Sequence, residues 1–199
     1  MNSARWVVLA SFAAACSQLP PPREYIMRPL AGNATSPMAG QGLAVVVAPT
    51  RLPDYLDRAG LPTLAGGSEI MFSDGERWAD RPSDDISRVV AANIQTLLPA
   101  AVVTAQPLPA AAQGRQVMLV LDIADMVLDR DGVAVLKGRW SILDGAGNTL
   151  LRTGMVDYSE RVAGGQDRQD QLAAMDRNLL RLGQDVARAL SSLPRGQGS

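Results

Sequence analysis

Residues 116–161 constrain the fold more than any other stretch of the chain. Residues 116–128 (QVMLVLDIADMVL) are dominated by leucine and β-branched side chains and read as a long strand, interrupted by Asp122 and Asp125. Asp129-Arg130-Asp131-Gly132 follows, a composition that suits the tight turn between antiparallel strands. Residues 133–143 then set Leu136, Trp140 and Ile142 on one face and Lys137, Arg139 and Ser141 on the other. That period of two marks a strand with one buried and one wet face, and it assigns Trp140 to the core. A second hairpin loop, Asp144-Gly145-Ala146-Gly147-Asn148, leads into a third strand over 149–161. A three-strand antiparallel meander with one apolar face needs a layer to cover it.

The covering layer is written in two helical patterns. Residues 167–193 place Leu172, Met175, Leu179, Leu182, Val186, Ala189, Leu190 and Leu193 three or four apart, a single apolar stripe ended by Pro194. Residues 83–98 do the same with Ile86, Val89, Val90, Ile94, Leu97 and Leu98, and Pro99 stops them. Ser83 stands at the expected cap of this helix, and Asp84 and Asp85 in its first turn, where the helix dipole favours negative charge. Residues 42–48 (GLAVVVA) read as a buried strand and 69–73 (EIMFS) as a shorter one. The expected fold is a single-domain α/β structure with a mixed, roughly five-stranded sheet, including the meander, covered by two main helices.

The N-terminus carries a different message. Arg5 precedes the ten apolar residues 6–15 (WVVLASFAAA), about half of the roughly 20 residues needed to cross a bilayer as a helix. A short apolar run behind a positive flank and ending in small residues is a secretory signal. It closes on Ala13-Ala14-Ala15-Cys16, which resembles a bacterial lipobox, with Ala13 where leucine is usual. Cys16 is the expected lipid-attachment residue, and Ser17 after it lacks the aspartate that retains lipoproteins at the inner membrane. Residues 17–41, with Pro20-Pro21-Pro22, Pro29, Gly32, Ser36-Pro37 and Gly40, read as a flexible tether in which Tyr25-Ile26 can form a short strand or dock on the body. The expected organisation is therefore a signal peptide at 1–15, a lipidated N-terminus and tether at 16–41, a folded domain at 42–194 and a disordered tail at 195–199.

Composition narrows the chemistry. The chain is 47% hydrophobic and 20% charged, as a globular domain should be. With 19 basic and 20 acidic residues its formal charge is −1, which gives no electrostatic case for nucleic acid. It has no histidine and one cysteine, which removes Ser-His-Asp and Cys-His catalysis and histidine- or thiolate-built metal sites. No Gly-x-Ser-x-Gly or phosphate-binding loop is present. The candidates for carboxylate chemistry, Asp122 and Asp125, fall on opposite faces of a regular strand. The expectation is a non-enzyme without metal or cofactor, apart from the covalent lipid at Cys16.

The segment after the first buried strand is the most informative. Leu52-Pro53-Asp54-Tyr55-Leu56-Asp57-Arg58 is followed by Arg77-Trp78-Ala79 before the first helix, and then by Asn93 and Leu97-Leu98-Pro99. Together with the lipobox this series resembles the ABC-type transport auxiliary lipoproteins, the paraquat-inducible protein C (PqiC) family, over roughly residues 43–193. The chain departs from that pattern at Ala59, where proline is common, and at Asp80-Arg81-Pro82, where many members have Glu-Pro.

The resemblance implies an α/β fold and an outer-membrane lipoprotein subunit of an intermembrane lipid-transport system. It implies docking, as a ring-shaped homo-oligomer, on a periplasm-spanning protein of the mammalian-cell-entry (MCE) type, with the outer-membrane lipid engaged through the acyl anchor. Leu52, Pro53, Tyr55 and Leu56 then form either a partner- or lipid-facing loop or a plug over the sheet end. Asp57 and Arg58 either bind a partner or pin that loop by an ion pair. Arg77 and Trp78 are candidate interface residues, and Trp78 is equally a core residue. The alternatives are an envelope assembly lipoprotein, such as an outer-membrane barrel assembly factor, and a carboxylate-based envelope hydrolase.

Overall fold

A computed structural model of the chain describes residues 21–30, 40, 42–110, 112, 114–129, 131–162 and 167–194. The signal peptide, Cys16 and the 195–199 tail lie outside the described residues. In chain order the elements are β1 (Arg23–Tyr25), β2 (Leu43–Val47), β3 (Gly60–Gly66), β4 (Glu69–Trp78) and α1 (Pro82–Leu97). They continue with β5 (Val102–Thr104), β6 (Arg115–Asp129), β7 (Val133–Asp144), β8 (Leu150–Arg161) and α2 (Arg168–Ser191).

The fold is α/β, with one mixed sheet of eight strands where about five were expected. The additional strands, β1, β3 and β5, are short or carry residues that read as loop. β3 is Gly-Leu-Pro-Thr-Leu-Ala-Gly, and β1 and β5 have three residues each. β4 also runs five residues past the end of the expected 69–73 strand, because its pattern of exposure leaves no long apolar run to read.

β6 organises everything else. One edge pairs antiparallel with β7 from Val117 opposite Asp144 to Leu128 opposite Ala134, and β7 pairs in turn with β8. The other edge is shared: β2 pairs parallel with Arg115–Leu119, and β3 pairs parallel with Leu128 and Asp129. β4 and then β1 extend the sheet beyond β3, while β5 lies outside β2. Val117, Leu119, Leu121 and Ile123 of β6 and Ala134, Leu136, Trp140 and Ile142 of β7 are buried as the alternation predicts. The stripes of α1 and α2 cover them, with Ile86, Val89, Val90 and Ile94 and with Leu172, Met175, Leu179, Leu182, Val186 and Leu190 all buried. Trp140 needs a glycine opposite: a Cβ at Gly154 would lie 2.4 Å from the indole ring.

Two local expectations change. Between Ile123 and Asp125 the β6–β7 register skips one residue, so Ala124 bulges. The bulge reverses the parity of the strand beyond it. Asp122 opposite Arg139 and Asp125 opposite Lys137 therefore share one face of the sheet instead of lying on opposite faces. Burial raises the Asp125 carboxyl above its ordinary range, and Lys137 partly offsets this. In α1 the cap position is Arg81, which makes no side-chain cap bond, and Pro82 occupies the first turn. Ser83 is thus inside the helix and buried. α2, in contrast, carries its own cap: Asp167 accepts the Gln169 N–H at 3.0 Å.

Candidate functional site

The segment from Pro49 to Ala59 crosses the seam between the two strands that share one edge of β6. After β2 the chain stays on that edge: Arg51 donates to the Leu121 carbonyl and accepts from the Ile123 amide, both at 2.9 Å. Thr50 fastens it to α1, its N–H donating to Ser87 Oγ at 2.9 Å in the buried interior. Pro53 then turns the chain, its carbonyl accepting the Leu56 and Asp57 amides at 2.8 and 3.2 Å.

Leu56 is fully buried and plugs the seam, while Leu52, Pro53 and Tyr55 are half-buried. Tyr55 donates to the carbonyl of the bulged Ala124 at 3.4 Å. Burial, then the nearby Asp125 charge, raises its phenol above the ordinary value. Asp57 accepts the Ser83 N–H at 3.1 Å, so it supplies from the loop the cap that α1 does not provide for itself. Arg58 lies over the Phe72 ring, 5.1 Å from its centroid. The two residues are held by these separate contacts and not by the ion pair the sequence suggested. Asp54 and Arg58 are the exposed members of the heptad.

Arg77 and Trp78 separate into two roles. Trp78 is 5% exposed in the core, its backbone N–H donating to the Ala59 carbonyl at 2.7 Å. Arg77 is half-exposed and pairs with Glu24 of β1 at 2.5 Å.

The structure also shows a polar clasp that the sequence reading did not identify. β1 lies parallel to β4, with Arg23 opposite Glu76 and Tyr25 opposite Trp78. Glu76 is itself tied to Arg168 of α2 at 2.8 Å and to the Tyr25 hydroxyl at 3.2 Å. Burial alone would raise its carboxyl, but Arg168, with help from Tyr25, holds it below the ordinary value.

Beyond β1 the chain descends between the two helices. The Met27 N–H donates to Asp85 at 2.8 Å, the Arg28 N–H to Asp176 at 3.0 Å and the Leu30 N–H to Asn93 at 3.0 Å. Residue 29 is proline and has no N–H, so every backbone donor from 27 to 30 is taken by a helix side chain. Arg88 completes the clasp, donating to the Met27 carbonyl at 2.9 Å and from Nε to Asp85 at 3.0 Å. Asp85, Asn93 and Asp176 are 3%, 1% and 8% exposed, which makes them polar residues inside apolar helix stripes. Burial pushes the Asp176 carboxyl up to about 6, with the Arg28 N–H opposing the shift and Asp85 adding to it. Residues 23–30, expected as flexible tether, are part of the folded body.

Among the described residues, no group of three histidine, cysteine or carboxylate side chains converges as a metal site, and no helix is long and apolar enough to cross a membrane. Residues 25–187 match the family described as the ABC-type transport auxiliary lipoprotein component. The intermembrane transport lipoprotein PqiC of Escherichia coli is 26% identical over 151 residues, covering 74% of this chain and 78% of that protein, and its Shigella flexneri counterpart matches equally. Among solved structures, an uncharacterized protein shares the fold with a TM-score of 0.69 at 17% identity, covering 85% of this chain and 99% of that one. A Xanthomonas campestris protein does so with a TM-score of 0.58 at 14% identity, covering 84% of this chain and 90% of that one. The match spans the clasped residues 27–30, the heptad, the meander and most of α2, and on it the chain belongs to the ABC-type transport auxiliary lipoprotein component family.

Proposed function

We propose that this protein is the outer-membrane lipoprotein subunit of an intermembrane lipid-transport system. It is anchored through acyl chains on Cys16 and docks, as a homo-oligomeric ring, on a periplasm-spanning MCE-type protein. The observation that carries this reading is the family match over residues 25–187, combined with a sole cysteine directly behind a lipobox-like run. Two acyl chains, at about 0.8 kcal/mol per buried methylene, anchor a protein stably. The family is one of transport auxiliary lipoproteins, which favours a partner-binding role over an enzymatic one. Within the heptad, Arg58 and Asp54 offer the exposed groups for a partner, on a loop that Leu56 and Asp57 hold in place.

A pull-down of the full chain from crosslinked envelopes tests the reading. Co-purification of an MCE-type protein, weakened by Arg58→Glu in a chain with an unchanged melting temperature, is the expected result. Recovery of outer-membrane barrel protein alone contradicts it and favours an assembly role.

A further inference from the structure

The clasp gives the anchored body a direction. With the turn between β6 and β7 as the upper end, β6 rises toward it and β3 pairs beside Asp129. β4 returns downward and β1 runs parallel to it. α2 begins beside Glu76, where Arg168 pairs with that carboxylate, and also descends, ending where Arg115 donates to the Pro194 carbonyl at 2.6 Å. Residues 23–30, a strap laid between the helices, therefore enter from the upper end and pass Asp85, then Asp176, then Asn93 on their way down. Pro21 and Pro22 precede β1 and so lie on its upper side. Of residues 23–30, Met27 alone is fully buried, so the strap is seated by main-chain hydrogen bonds more than by apolar contact.

The seating changes the reach of the anchor. From Cys16 to Arg23 there are seven residue steps, which span at most about 25 Å when fully extended. Were residues 17–41 free, as a tether to β2 would be, the same limit would be about 90 Å.

We propose that residues 23–30 are a strap that shortens the lipid tether and orients the body, so that the β6–β7 turn faces the bilayer and the β7–β8 loop faces away from it. Asp85, Asn93, Asp176 and Arg88 are the positioning residues. This inference rests on lipidation of Cys16, and its seat can be tested without the lipid. The lower end, with the β7–β8 loop and the last turn of α2, is then the part of the body held farthest from the membrane. β7, with its twelve residues, separates the two ends by about 36 Å.

The experiment uses the full chain in two forms. In the Cys16→Ser chain, hydrogen exchange should show the amides of Met27, Arg28 and Leu30 protected. Arg28→Pro, which deletes one clasped N–H on the strap itself, should remove the protection of the Met27 and Leu30 amides while β6, β7 and α2 keep theirs. Met27→Asp serves as a second variant with the same expected loss. Free exchange of these three amides in the unsubstituted strap overturns the seat.

In the acylated chain on phosphatidylethanolamine–phosphatidylglycerol vesicles, a dye on Asp131→Cys should transfer energy to a bilayer acceptor several-fold more strongly than one on Ala146→Cys. In Arg28→Pro the two sites should converge. Equal transfer from both sites with the strap seated, or a preference that survives loss of strap protection, overturns the orientation. Failure of the chain to bind vesicles overturns the lipid reading and the shortened tether with it, while the exchange result still decides whether the strap is seated.

Discussion

The meander with α2 and the strap of residues 23–30 are held by different physics. In the meander, alternate side chains of β6 and β7 are buried and α2 lays a continuous apolar stripe on them. In the strap only Met27 is fully buried, and backbone amides do most of the holding. The first arrangement rests chiefly on apolar burial. The second depends on a few carboxylates and can be loosened without unfolding the body.

The largest expected effect lies in the meander. Leu136 is fully buried, so Leu136→Ala should cost about 3–5 kcal/mol in urea unfolding, cooperatively for the whole domain. Leu56→Ala should cost about 2–4 kcal/mol, because the plug over the seam is as buried as the meander core. A loss below about 1 kcal/mol at Leu56 would show that the heptad belongs with the strap and not with the core.

Asp176 sharpens the comparison through pH. Its carboxyl is raised to about 6 by burial, then opposed by the Arg28 N–H and reinforced by Asp85, with the charges of Arg28 and Arg177 also lowering it. A raised carboxyl favours the protonated fold. Its stabilising contribution is complete below about pH 4 and fades as pH rises through about 6. Asp176→Asn keeps an oxygen for the Arg28 N–H but carries no charge. Relative to the parent, this variant should gain about 1–2 kcal/mol between pH 4 and pH 7, allowing for solvent screening of a partly open group. Thermal melts at the two pH values measure it, and a pH-independent difference would contradict the assignment.

Smaller effects follow. Asp57→Ala removes the cap of α1 and should cost about 1 kcal/mol by chemical denaturation. Arg77→Ala breaks a half-exposed pair with Glu24 and should shift stability by less than about 0.5 kcal/mol.

What was legible in the sequence follows the same division. The meander, α1 and α2 announce themselves because side chains a few residues apart share a face, and a short window sees them. The clasp is invisible to such a window: Met27 meets Asp85, Leu30 meets Asn93 and Arg28 meets Asp176 across separations of 58, 63 and 148 residues. Its only local trace is a polar residue inside an apolar stripe, at Asn93 beside Ile94 and Asp176 beside Met175. The first-turn dipole describes the position of Asp85 on the helix but not its bond to Met27. The Ala124 bulge was hidden for a related reason, since register belongs to two strands and parity was counted on one. β3 was missed because Pro62 and its terminal glycines favour loops in isolation, and pairing with β4 and β6 overrides that preference.

The most direct test of the account is the intact mass of the native chain extracted from membranes. The predicted result is a chain that begins at Cys16 and carries acyl mass on that residue, with both the mass and the membrane association abolished in Cys16→Ala. A chain recovered with residues 1–15 still attached and an unmodified thiol would contradict it.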